Sequence, residues 1–175
     1  MRMMIIVLYI VSSLLTGCGY HLTGATDPSL ITGKTIAIPV WRSNVFRPFL
    51  ETQMTESLLK EFSMRSGGMV VAEENADLVL TGTIQSYGAG AVSFTAADQI
   101  REYRATITVD SILTERRSQK VLWKGTVSSS QDYPASIDTT APNRIALQQN
   151  SEEAAIKEIC RKLADQIYLK VTESF

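Results

Sequence analysis

The chain has 175 residues, 17 Lys and Arg against 18 Asp and Glu, and a formal net charge of −1. A balance this even supplies no basic field, so non-specific nucleic-acid binding has no electrostatic support. With one histidine and two distant cysteines, it also excludes an HExxH zinc motif and a CxxC pair.

The chain opens on Met1-Arg2 and continues as an apolar run from Met3 to Val11. This opening segment closes on Leu14-Leu15-Thr16-Gly17-Cys18. A positive start, an apolar stretch and small residues before a cleavage point make residues 1–17 a secretory signal peptide. The run falls short of the ~20 residues that a spanning helix needs. Leu15-Thr16-Gly17-Cys18 resembles the lipobox of bacterial lipoproteins. That resemblance implies an S-linked diacylglycerol and an N-acyl group, palmitate among such chains, on Cys18 as the first mature residue. Two or more acyl chains anchor stably where one does not, at roughly 0.8 kcal/mol per buried CH₂. The competing reading is an ordinary secreted protein with a chance cysteine. Gly19, where an aspartate often marks inner-membrane retention, implies the outer membrane.

Cleavage before Cys18 leaves 158 residues, enough for one domain with a proper core. If Cys18 carries lipid, Cys160 has no disulfide partner and reads as a small buried hydrophobe. Residues 18–34, with three glycines and a proline, form a tether. Residues 35–175 form a single domain.

Residues 35–41 alternate as a strand with Ile36, Ile38 and Val40 on one side, and Pro39 means that this strand lies at an edge or leaves that position of the ladder unpaired. A helix is expected over 48–65, with Pro48 near its start and a stripe of Leu50, Met54, Leu58 and Phe62. Gly67-Gly68 ends it. Three strands follow, over 77–87, 102–113 and 121–128. Leu78, Leu80 and Ile84 share a face of the first. Tyr103, Ala105, Ile107, Val109 and Leu113 share one in the second, and Val121, Trp123 and Val127 in the third. Residues 88–99, holding Phe94, and residues 129–143 read as polar connections that suit a contact surface.

The last helix starts near an N-cap at Ser151, with Arg144–Asn150 as a backward extension. It gathers Ile156, Ile159, Cys160, Leu163, Ile167 and Val171 within an arc of about 120°. The order is β-α-β-β-β-α. One apolar face per strand with two amphipathic helices gives an α+β two-layer sandwich, both helices on one face of a four-stranded mixed sheet.

No motif supports catalysis. His21 lies three residues from the lipid site, and the chain has no GxSxG elbow. Glu73-Glu74 and Glu152-Glu153 read as solvated pairs, and Gly88-Ala89-Gly90 as a turn. The chain therefore reads as no enzyme, with no metal and no cofactor beyond its covalent lipid. Arg101, Arg104, Arg116, Arg117, Lys120 and Arg144 suit either a soluble surface or hydrogen bonding to phosphate.

Cys18-Gly19-Tyr20-His21-Leu22-Thr23-Gly24 resembles the mature start of LptE-like proteins, the lipopolysaccharide-assembly lipoproteins of Gram-negative outer membranes. Thr23 stands where that family often has a basic residue. Ala76–Gly82, Glu102-Tyr103 and the terminal helix follow in the family's order. The resemblance implies an outer-membrane protein, lipid-anchored on the periplasmic side, that plugs an LptD-type β-barrel. There it helps assemble the barrel and deliver lipopolysaccharide to the surface. The Phe94 loop continues with Thr95 rather than arginine, so Arg101 and Arg144 are the best substitutes for the family's lipopolysaccharide-contacting cations. The alternative is a periplasmic lipoprotein that activates a cell-wall synthase or scaffolds another envelope complex.

Overall fold

The computed structural model describes residues 30–31, 33–65, 70–136 and 142–172. The signal peptide, Cys18, His21, most of the tether and the Gly67-Gly68 helix stop lie outside the described residues.

The elements are β1 (Ile36–Ala37), β2 (Arg42–Ser43), α1 (Leu50–Arg65), β3 (Leu78–Phe94), β4 (Ile100–Glu115), β5 (Val121–Pro134) and α2 (Arg144–Thr172). The β-α-β-β-β-α order and the α+β two-layer arrangement are as expected. The sheet runs β1-β3-β4-β5, and β2 pairs with β3 beyond β1. The first, edge position is thus divided between two short parallel pieces. Ile36 lies opposite Leu78 in one, and Arg42 opposite Thr83 in the other. β3, β4 and β5 are antiparallel.

The division falls around Pro39, which has no N–H to give a ladder. It also corrects one expectation, because Val40 is exposed and Trp41 buried. Trp41 turns beneath the sheet over Gly82, where a Cβ would lie 2.5 Å from its indole. The Trp41 amide donates to Thr55 Oγ1 at 3.0 Å, tying the edge to α1. Gly82, Ser111 and Gly125 are neighbours across three strands. Trp123 crowds Gly125 in the same way, at 2.7 Å from a built Cβ. Two indoles therefore occupy space that a row of small residues leaves open.

Both helices cover the inner face. Leu50, Met54, Leu58 and Phe62 of α1 are buried, as is the whole predicted stripe of α2. From the sheet come Leu78, Leu80, Ile84, Ala105, Ile107, Val109, Leu113 and Val127. Each large apolar side chain so buried contributes about 1.5–3 kcal/mol relative to exposure. The helices run parallel: Arg47 meets Glu152 near their starts, and Arg65 meets Asp165 near the end of α1. Arg65 also stacks on Tyr168, whose ring meets Phe62 edge-on at 5.0 Å.

The outer face is polar, as expected of a sheet covered on one side. Asn44, Gln85, Asp110 and Thr126 form a hydrogen-bonded chain across it, with links of 3.0, 2.9 and 2.6 Å.

Three boundaries differ from the sequence reading. Residues 88–94, expected as loop, continue β3, and β5 runs on to Pro134. Ser151 is no cap; it lies inside α2 with its Oγ donating to the Leu147 carbonyl at 3.0 Å. Val121 is exposed rather than facing inward with Trp123, because the register slips between Leu113 and Thr114.

Candidate interaction site

β3 has 17 residues and α1 has 16. At roughly 3.3 Å per residue the strand reaches about 55 Å, whereas the helix at 1.5 Å per residue covers only about 24 Å. The β3–β4 ribbon therefore projects past the start of α1. Its tip is a tight turn in which Thr95 accepts the Gln99 amide and Asp98 has a φ of 55°.

The starts of both helices share this pole with the ribbon. Around it lie Phe46, Phe49, Val92, Phe94, Ile145 and Leu147, all exposed. Phe46 is fully exposed, and Phe49 holds a φ of 65°, a left-handed conformation costly for a bulky side chain. The opposite pole carries the beginning of the described chain, where Thr35 is bound to Asp77 and Lys34 pairs with Glu115. Two hydrogen bonds from Thr35, backbone then hydroxyl, hold the Asp77 carboxyl below its ordinary range.

Within the apolar pole, a cleft of about 420 Å³ opens between the ribbon and α2, lined by Ile100, Tyr103, Ala135, Arg144, Ile145 and Gln148. Tyr103 stacks on Tyr133 at 5.6 Å and floors it with a flat aromatic surface. Arg144 lines this cleft, and Arg101 borders it, its carbonyl accepting the Ala135 amide at 2.9 Å. The fold thus places both predicted cations at one end of the molecule. Neither has an ion-pair partner among the described residues, whereas Arg104 is engaged with Asp132 at 2.6 and 2.8 Å. Arg116 is spent on the carbonyls of Ala76 and Glu74 at the other pole.

Below the cleft a charged clasp fixes the pole's geometry. Arg47 reaches Glu152 at 2.8 Å and Glu153 at 3.3 Å, and its guanidinium lies over the Tyr87 ring. The Tyr87 hydroxyl donates to Glu152. Burial first, then the hydrogen bond to Glu152, pushes the Tyr87 phenol well above its ordinary range. Three elements are locked together there.

Phe46, Phe49, Ile145 and Leu147 escape sequence reasoning. They sit in stretches without periodicity, where an apolar residue carries no sign of which way it faces. The pole combines cations, aromatic faces and an apolar rim on a rigid base. Among the described residues there is no group of three or more metal-ligating side chains and no helix long and apolar enough to cross a membrane.

By its fold, the chain is an α+β domain of a type shared with solved bacterial lipoproteins. Rare lipoprotein B from Shewanella oneidensis is 15% identical, with a TM-score of 0.51 over 77% of this chain and 92% of that one. Uncharacterized lipoprotein B from Nitrosomonas europaea is 14% identical, with a TM-score of 0.55 over 79% and 83%. The PelC dodecamer from Paraburkholderia phytofirmans is similar too, at 13% identity and a TM-score of 0.53 over 83% and 91%. At such identities the likeness is one of fold alone. No curated protein matches the chain. The sequence model of the lipopolysaccharide-assembly family LptE matches residues 33–171, and the chain belongs to that family. It is therefore a member of a lipoprotein family of the Gram-negative envelope, involved in lipopolysaccharide assembly.

Proposed function

We propose that the chain is exported, cleaved before Cys18 and acylated there, and held on the periplasmic side of the outer membrane. In this reading it is no enzyme. It sits as a plug within an LptD-type β-barrel, supports assembly of that barrel, and helps pass lipopolysaccharide to the surface. Family membership supports the pathway. The observation that carries the rest is the pole at the end of the β3–β4 ribbon, where Arg101 and Arg144 lie beside exposed apolar side chains.

The chemistry matches the ligand class. Lipid A presents phosphates beside acyl chains, and arginine's planar fork binds phosphate in a bidentate way. An apolar rim next to such cations accepts the adjoining hydrocarbon. Residues 18–29, fully extended, reach at most about 40 Å, so the domain stays close to the membrane that holds the anchor. The polar outer face of the sheet suits a water-lined barrel wall.

Lipopolysaccharide binding by the purified full chain tests the ligand. Replacing both Arg101 and Arg144 with alanine lowers affinity by ~10-fold or more, since each charge-assisted contact contributes about 1.5–3 kcal/mol. Unchanged affinity in a folded double variant removes these residues from the site.

A further inference from the structure

We propose that the free edge of β5 pairs with the same edge of a second copy of this chain. The two strands would run antiparallel about a two-fold axis at Ser128, joining the two sheets into one. The inference stands on the strand itself and does not depend on the barrel reading.

Among the described residues no strand lies beyond β5, so its outer edge is open. The Ala135 amide donates to the Arg101 carbonyl, which sets the phase of the β4–β5 ladder. In an antiparallel pair, hydrogen-bonded positions recur every second residue. The odd-numbered residues of β5 thus face β4, and the even-numbered ones turn N–H and C=O to the free edge. Pro134 falls on an edge-facing position, where its missing N–H leaves no gap in the ladder.

Natural edges are usually guarded by charge or proline. Gly125 to Gln131 contains neither. The guards stand at the two ends, and they are complementary. Lys124 and Asp132 each lie four residues from Ser128. Antiparallel pairing centred on Ser128 sets Lys124 of each copy opposite Asp132 of the other, and Thr126 opposite Ser130. Opposite charges and Thr–Ser pairs are both favourable across strands. Ser128 and its counterpart form an edge-facing, hydrogen-bonded pair, so the register agrees with the ladder's phase. Lys124 has no partner within its own chain among the described residues. Asp132, held by Arg104 on one side, leaves its other side to the incoming lysine.

One contact within the chain opposes this pairing. Lys162 of α2 reaches the Ser130 carbonyl at 3.4 Å and Gln131 at 2.7 Å. Gln131 in turn donates to the Asp132 carbonyl at 3.0 Å. Both carbonyls face the free edge, so this clasp competes with the second copy and weakens the dimer.

Disulfide trapping of the full chain, purified in detergent and also probed in intact envelopes, tests the register. Directly opposed hydrogen-bonded residues have Cα atoms about 5.5 Å apart, within the range a disulfide spans. Ser128→Cys therefore cross-links to a homodimer above the background of the unsubstituted chain. Ser130→Cys alone does not, because its own counterpart lies four residues away, roughly 13 Å along the strand. Mixing Thr126→Cys with Ser130→Cys restores cross-linking. Lys124→Glu on the Ser128→Cys background cuts the yield about threefold or more, and Lys162→Ala raises it. Equal yields from all three cysteine positions, or no homodimer from Ser128→Cys, would overturn the proposal. So would capture in envelopes of a chain of different mass alone.

Discussion

Gly82 shows how one missing methyl group shapes this fold. Trp41 lies so close that an added Cβ would sit 2.5 Å from its ring, and a rigid indole cannot bend aside. Gly82→Ala is expected to lower stability by about 1–3 kcal/mol, the usual cost of overpacking a filled core. Denaturant unfolding followed by tryptophan fluorescence measures this; a cost near zero would mean the indole has room to move. Cys160 is the opposite kind of residue, present but inert. Burial, with a smaller contribution from Glu153, pushes its thiol up to about 12, so the reactive thiolate is absent near neutral pH. Iodoacetamide should leave Cys160 unmodified in the native chain and alkylate it in denaturant. Rapid native labelling would contradict the packing described. Phe49 carries strain instead. Asparagine tolerates its left-handed backbone better, so Phe49→Asn should raise stability by about 1 kcal/mol while weakening partner binding at the exposed pole. A thermal melt and a binding measurement on the same variant separate the two effects.

At the scale of elements, the clasp of Arg47, Tyr87 and Glu152 joins the entry to α1, the middle of β3 and the first turns of α2. Its pH behaviour follows from the raised Tyr87 phenol. The folded state holds that proton more tightly than the unfolded chain, whose tyrosines titrate near about 10. The associated stability is complete below that pH and is lost as pH rises toward the folded value. Urea midpoints should therefore fall more steeply above about pH 10 in the native chain than in Tyr87→Phe. Parallel slopes would show that the phenol is not coupled to folding. The elements themselves were legible wherever one face is buried: the α2 stripe from Ile156 to Val171 and the alternation from Tyr103 to Leu113 both stand as read. Legibility stopped where burial stopped. Gly88 to Phe94 pairs with β4 but is exposed apart from a half-buried Ser93, so backbone pairing makes it a strand and no periodic pattern records it. Ser129 to Gln131 joins β5 through its partners on β4, despite weak strand preference of its own. Ser151 resembles a cap because Ser is common there, but a helix that begins seven residues earlier has no use for one.

The described domain has two unlike ends. One end carries the beginning of the described chain, and the other gathers aromatic and aliphatic side chains with Arg101 and Arg144. Both arginines were candidates from the sequence, but their common location was not, since residues 101 and 144 come to one end of the molecule only when β5 brings α2 back to the ribbon. The apolar rim was invisible for a related reason, because exposure of Phe46 or Ile145 depends on the ribbon reaching past the start of α1. A rigid body polarised in this way suits an anchored plug. The measurement that tests this most directly is affinity purification of the tagged full chain from detergent-solubilised envelopes, with partners identified by mass. The account predicts an LptD-type barrel in a stable complex that survives gel filtration. Recovery of the chain without a barrel, or bound instead to a peptidoglycan polymerase, would contradict it.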